Sequence, residues 1–268
     1  MQDVKIYICC HKDYEDVGIN NPCYRLISDK DIKNDSFIPL VKSDGFLDNR
    51  LWSELSHIYY VWKHPELQAE WVGFCHYRRY FDFMNDIPEL TLPIVVSPII
   101  SQFNNFISYF VNHNAYDLIY TLILGNKLKP EYTQYMIRMC DMHSYYPYNM
   151  FIFPKDLFNN LCSYLFEILL GYDKSIKVNN NYANMLKHIG DYRELYIEKA
   201  VKDDMPNNNY EYQARLYGFL SERLFSAFIM KYIADNGKGS ILKYGAKITE
   251  KTYNRIIVDS QKEKSQQI

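Results

Sequence analysis

Short apolar runs alternate with polar clusters along this chain, and most runs are too short for helices. Val4-Lys5-Ile6-Tyr7-Ile8-Cys9 is β-branched and aromatic and stops at Cys10-His11-Lys12-Asp13, which predicts a first strand emptying into a polar loop. Asp16 to Asp48 has little periodicity and carries Gly, Asn, Pro and Asp, so it reads as one long loop. Asn49 is placed to cap a helix whose apolar positions Leu51, Leu55, Ile58 and Trp62 fall at helical spacing, and Pro65 ends it. Trp71-Val72-Gly73-Phe74 then runs into Cys75-His76-Tyr77-Arg78-Arg79-Tyr80, a buried strand delivering polar side chains to its carboxyl end. Strand, connection, helix and strand together predict a parallel crossover unit.

Further along, Ile94-Val95-Val96 is a third short strand, and Phe103 to Tyr146 reads as several helices broken near Asn114, Gly125 and Pro130. Asn149-Met150-Phe151-Ile152-Phe153 is strand-like, with Pro154 opening a strong helix through Leu170. Asn179 to Asn184 and Pro206 to Tyr210 are turn-rich, and Arg215 to Ile233 forms a second strong helix. From Asp235 the chain turns polar and Lys-rich. The pattern predicts an α/β domain over 1–234, with a mostly parallel, mixed sheet flanked by helices and a helical C-terminal part. Residues 235–268 then form a polar tail packing on it or trailing it.

Composition narrows the function classes. Lys and Arg number 30 against 32 Asp and Glu, so no global field favours nucleic acid. The six cysteines (Cys9, Cys10, Cys23, Cys75, Cys140, Cys162) include no CxxC pair, which argues against a zinc site. No apolar stretch has the length of a membrane span, and no signal peptide precedes Lys5, so the expected location is the cytoplasm. There is no GxGxxG and no GxxxxGK[ST], which weakens dinucleotide and P-loop readings.

The chemistry concentrates at a few positions. Strand ends and the loops after them are where open α/β sheets bind ligands, which singles out His11 and Lys12 after the first strand. Arg78 and Arg79 present planar, permanently charged forks suited to phosphate oxygens; pairing with a carboxylate such as Glu54 is the competing role. Glu222 and Arg223 lie in a helix apolar nearly all round, where a buried carboxylate serves as a general base with a raised pKa or as half of an ion pair. Asp82 and Asp141 are the weak candidates for a metal, and Asn149 can bond a sugar hydroxyl or simply form a turn.

Five segments carry a resemblance: KIYICCHK (Lys5–Lys12), ELSHIYYVWK (Glu54–Lys63), WVGFCHYRRYF (Trp71–Phe81), NMFIF (Asn149–Phe153) and GFLSERLF (Gly218–Phe225). Together they resemble a bacterial family, a former domain of unknown function found in capsule, exopolysaccharide and lipopolysaccharide gene clusters. That family is grouped with GT-A glycosyltransferases of Rossmann-like sheet, and some members look like galactofuranosyltransferases. The matching positions are Cys10, His11, Lys12, Glu54, His76, Tyr77, Arg78, Arg79, Asn149, Glu222 and Arg223. Between Asp16 and Asn49 the chain departs from the family pattern, and Asp48 and Asn49 stand where its polar residues would be.

The resemblance implies a hexosyltransferase that moves a sugar, galactose or galactofuranose among the candidates, from a nucleotide-diphosphate donor such as a UDP-sugar. The acceptor is a lipid-linked glycan or oligosaccharide, at the inner membrane face. We assign Glu222, Arg79 and His76 to catalysis, Cys10, His11, Lys12, Asn49, Glu54, Tyr77 and Arg78 to the donor, and Asn149 and Arg223 to the acceptor. Where many GT-A enzymes place an acidic metal-binding motif, this strand end carries His76-Tyr77-Arg78-Arg79. Fixed guanidinium charge is therefore expected to replace Mn2+ or Mg2+, or to supplement it. Lys238, Lys243, Lys247, Lys251 and Arg255 are candidates for peripheral contact with anionic lipid. Two other readings fit the same residues: a non-catalytic nucleotide-sugar or glycan-binding protein, and a transferase of a non-sugar substituent.

Overall fold

The computed structural model describes residues 2–10, 19–28, 37–39, 46–113, 115–190 and 210–249. Four parallel strands form one half of the main sheet: β1 (Val4–Cys10), β2 (Tyr24–Ser28), β3 (Phe37–Pro39) and β4 (Trp71–His76), in the order β3-β2-β1-β4. β5 (Arg79–Phe81) folds back antiparallel on the end of β4, and β6 (Ile94–Val96) lies further out. A separate two-stranded antiparallel sheet pairs β7 (Ile99–Ile100) with β8 (Ser144–Tyr145). β9 (Phe151–Pro154) runs antiparallel between β4 and β6, β10 (Leu242–Tyr244) pairs parallel with β6, and β11 (Ala246–Ile248) pairs antiparallel with β5. The sheet is mixed and mostly parallel, as expected.

Helices α1 (Asn49–Trp52), α2 (Leu55–Lys63), α3 (Asn105–Asn112), α4 (Ala115–Leu128), α5 (Thr133–Asp141) and α6 (Lys155–Ser175) are followed by α7 (residues 182–190), α8 (Tyr210–Gln213) and α9 (Leu216–Asn236). Period-two alternation along the strands sorts side chains into two cores. Tyr7, Cys9, Val72, Phe74, Phe151 and Phe153 pack with α1, α2, α6 and α9 on one face. Ile6, Ile8, Cys75, Ile94 and Ile152 pack with Tyr80, Phe81 and Leu90 on the other. All six cysteines are free, and burial pushes the Cys10 thiol up to about 12, so it acts as a small apolar group.

The structure corrects several sequence expectations. The stretch read as one long loop holds β2 and β3, whose parallel pairing with β1 is a long-range contact that local periodicity does not register. The helix from Asn49 is two helices, split at Ser53, which adopts φ 51°. Asp48, not Asn49, is the cap: its side chain accepts from the Arg50 backbone N–H. Gly125 does not break a helix; it lies inside α4, where an added Cβ would sit 2.8 Å from Met136 Sδ. Residues 242–248, within the stretch read as a polar tail, supply β10 and β11. His11 and Lys12, and Lys251 and Arg255, lie outside the described residues. Among the described residues, no helix is long and apolar enough to cross a membrane.

Gly73 lets β4 pass close to its neighbours. A Cβ there would meet Ile152 Cγ1 at 2.8 Å and both Ile6 Cγ1 and the Phe151 carbonyl oxygen at 3.1 Å. Gly73→Ala is therefore expected to cost about 1–3 kcal/mol through overpacking, read as a lower midpoint in urea denaturation; an unchanged midpoint would show that β4 relaxes freely.

Candidate functional site

A cleft of about 390 Å³ opens at the carboxyl ends of β1 and β4, walled by the start of α2, by α3 and by the first half of α9. β9 runs antiparallel, so its entry, Tyr148-Asn149, lies at that same end. Both residues take left-handed backbone, φ 69° and 49°, a conformation that costs a non-glycine residue on the order of 1–3 kcal/mol.

This pair organises the polar contacts. The Tyr148 N–H donates to Glu222 Oε1 at 2.7 Å, and the Tyr148 carbonyl accepts from His76 Nε2 at 3.0 Å. Asn149 Nδ2 donates to Glu54 Oε1 at 2.7 Å and to Ser221 Oγ at 2.8 Å. Four functional groups from β4, α2 and α9 are thus held by one two-residue turn. Because a carbonyl only accepts, His76 Nε2 carries the proton and Nδ1 keeps a lone pair.

Burial lowers the His76 pKa; Glu54 raises it, Arg79 lowers it again, and the neutral ring results. The 3.8 Å approach of His76 to Glu54 is accordingly not an ion pair at neutral pH. Burial raises the Glu222 carboxyl above the ordinary carboxylate range, opposed by Arg223 and the Tyr148 amide. Arg223 Nη1 pairs with Glu222 Oε2 at 3.1 Å, and its guanidinium lies 4.4 Å from the Tyr145 ring centroid. Arg79 lies 4.3 Å from the Tyr148 ring centroid, and Arg215 Nε donates to Ser53 Oγ at 2.9 Å.

The lining counts three guanidiniums, Arg79, Arg215 and Arg223, against two carboxylates, Glu54 and Glu222. With His76 and His113 neutral, the balance favours an anion. Arg79 Nε, Arg223 Nε and Asn149 Oδ1 are buried with no hydrogen-bond partner among the described residues. Such atoms are ones that a ligand's polar groups can complete. Tyr145, Tyr148, Tyr212 and Phe219 supply flat apolar faces around them.

Of the residues singled out in the sequence, Glu54, His76, Arg79, Glu222 and Arg223 line the cleft, and Asn149 lies directly behind it, 2% exposed. Others lie elsewhere. The Cys10 thiol is fully buried, and its carbonyl accepts from His57 Nε2. Asn49 braces the α1–α2 break through Ser53 O and Ser56 Oγ. The Arg78 guanidinium lies over the Tyr77 ring, and neither residue lines the cleft. Asp82 accepts from the Gly245 N–H, and Asp141 is exposed at the end of α5. Among the described residues no three His, Cys, Asp or Glu side chains gather as a metal site.

Ser53, His113, Tyr145, Tyr148, Tyr212, Arg215 and Phe219 join the cleft without having been picked out in the sequence. Arg215, one turn before GFLSER, carried the strongest available signal. The rest arrive through tertiary folding.

The fold is a mixed α/β sheet flanked by helices, with a polar cleft at its strand ends. A solved structure of the bifunctional glycosyltransferase WbbM in its apo form is similar, with a TM-score of 0.65 and 22% identity over 93% of this chain. The alignment covers 46% of that protein, so this chain spans less than half its length. The chain belongs to the family described as Domain of unknown function (DUF4422), whose sequence profile matches residues 5–233. No curated protein matches the chain significantly.

His113 provides a test of the burial argument. Its Nδ1 lies 3.0 Å from Gln213 Oε1, its ring stacks on Phe219 at 3.9 Å, and burial lowers its pKa to about 3. A histidine unprotonated in the fold but titrating near 6.5 when unfolded contributes stability above pH 6.5, lost as pH falls toward 3. Between pH 7 and 5 the wild type is expected to lose up to about 2 kcal/mol from this group. His113→Phe should show a correspondingly smaller drop in urea denaturation; an equal drop would refute the assignment.

Proposed function

We propose that this protein is a glycosyltransferase that moves a hexose from a nucleotide-diphosphate donor to a glycan acceptor. The observation that carries this reading is the half-buried Glu222 carboxylate, 15% exposed, in one cleft with Arg79, Arg215 and Arg223. A leaving diphosphate needs its developing negative charge neutralised, and a buried carboxylate with a raised pKa is suited to accept a hydroxyl proton. The family membership and the fold likeness support the same class.

The reaction follows from these roles. The acceptor oxygen attacks the anomeric carbon as the bond to the diphosphate oxygen breaks, and the nucleoside diphosphate leaves with that electron pair. The acceptor proton passes to Glu222. Arg79 and Arg215 face the diphosphate, and Arg223 holds the Glu222 carboxylate in place. The neutral His76, through Nδ1, accepts from a sugar hydroxyl. Glu54 and Asn149 set the far wall, and the tyrosine rings take the apolar faces of the sugars. No step is assigned to a metal. UDP is the proposed nucleotide, galactose or galactofuranose the proposed sugar, and a bacterial capsule or lipopolysaccharide glycan the proposed acceptor.

Thermal shift with UDP-, GDP- and CMP-sugars identifies the donor, and turnover is followed as released nucleoside diphosphate. Glu222→Gln is expected to reduce kcat by about 10²–10⁴-fold with little change in donor affinity. The wild-type rate should rise with pH through a limb above the ordinary carboxylate range, because only ionised Glu222 accepts the proton; the variant should lack that limb. An E222Q protein that folds and keeps the wild-type rate removes Glu222 as base. Arg79→Ala is expected to raise the donor KM at least tenfold; an unchanged KM would place the diphosphate elsewhere. Activity abolished by EDTA and restored by Mn2+ would overturn the metal-free mechanism.

A further inference from the structure

Between Glu89 and Lys127 the sequence carries one charged residue, Asp117, and it is buried, accepting from Tyr172 Oη and His188 Nε2. The surface made by this stretch is nonetheless open. Ile100 is 86% exposed, and Phe103, Ile107 and Phe110 are each more than two-fifths exposed. Ile107 and Phe110 lie one turn apart on α3, with Phe103 just before it, so the helix turns one face outward while Ser108 and His113 line the cleft. Ile123 of α4 is also 59% exposed. Exposed apolar side chains in a stretch with no exposed charge of its own mark an interaction site.

A second cleft, about 550 Å³, lies beside it between α5, α9 and β8. Arg138, Lys238 and Lys243 stand around apolar walls that include Met142 and Met230, and no carboxylate lines it. None of the three cations forms an ion pair among the described residues. Asp141, in the same helix as Arg138, is exposed and does not line the cleft. Ile99 and Ile100 pair with Tyr145 and Ser144, so the apolar face and the cationic cleft meet at the β7–β8 strand pair. Tyr145 lines both clefts.

We propose that this combined face seats the protein on an anionic phospholipid bilayer. The exposed isoleucines and phenylalanines enter the interface, and lipid phosphates meet Arg138, Lys238 and Lys243. The charge pattern favours a bilayer over a second copy of the chain. Two copies joined through this face would bring carboxylate-free cation clusters together, whereas a membrane surface offers apolar depth and phosphate at one boundary. Seated this way, α3 carries lipid contact on one side and the catalytic cleft on the other. Docking itself does not depend on the transferase reading.

Sedimentation with vesicles of phosphatidylcholine alone, or mixed equally with phosphatidylglycerol, tests the proposal. The wild type is expected to partition at least tenfold more strongly onto the anionic vesicles. Ile107→Asp with Phe110→Asp should lose that binding at least tenfold, with circular dichroism and melting temperature reporting the fold. Ile100→Asp, at the most exposed position, serves if the double variant does not fold. Arg138→Glu with Lys243→Glu should abolish the preference for anionic lipid. Wild-type protein left in the supernatant with both vesicles would overturn the proposal, as would unchanged binding by the folded apolar variants. A dimer by light scattering that these variants dissociate, without vesicle binding, would assign the face to a second copy. Donor binding, measured separately by thermal shift, reports on the transferase reading whatever the vesicles show.

Discussion

The left-handed turn at Tyr148-Asn149 is the constraint on which the candidate site depends. It sits where the antiparallel strand β9 enters between β4 and β6, so its polar groups face three elements at once. Its amide holds Glu222, its carbonyl holds His76, and the Asn149 side chain joins Glu54 to Ser221. Hydrogen bonds to charged groups contribute about 1.5–3 kcal/mol each, enough to offset the strain of two left-handed residues. Ser53, at φ 51°, plays the matching role across the cleft by turning α1 into α2 immediately before Glu54.

Electrostatics follow from that geometry. Glu222 is half-buried at the cleft wall, and desolvation raises its carboxyl pKa even with Arg223 in contact. The same desolvation keeps His76 and His113 neutral, so the arginines dominate the field in the cleft. The result is a cavity that favours an anion yet keeps a basic carboxylate inside it. The Tyr148 and Tyr145 rings lie against the Arg79 and Arg223 guanidiniums.

Much of this was legible in the sequence where one segment carried both pattern and chemistry. Trp71 to Phe81 announced a buried strand ending in charge, and His76 and Arg79 do line the cleft. Glu222 and Arg223 stood out as charges in an apolar helix, and they are partly shielded and paired. Arg78 was indistinguishable from Arg79 by composition; only the tight reversal from β4 into β5 sends the two apart. Asn149 read as a residue able to contact sugar; its Nδ2 is committed to Glu54 and Ser221, while its Oδ1 has no partner among the described residues. β2 and β3 were invisible because their apolar runs are short and their partner lies elsewhere in the chain. Left-handed serine and tyrosine leave no mark in a sequence, since glycine is the residue that usually signals that conformation.

The carboxyl ends of parallel strands are the usual ligand position in open α/β sheets, and in this protein the antiparallel β9 brings its own polar turn to that edge. The account therefore makes a claim about one place in the molecule. A crystal structure of the protein with a nucleoside diphosphate bound tests it most directly. The diphosphate is expected against Arg79 and Arg215, with its terminal phosphate facing Glu222 across the space for a sugar. A nucleotide bound elsewhere, with the Tyr148-Asn149 cleft unaltered, would contradict it.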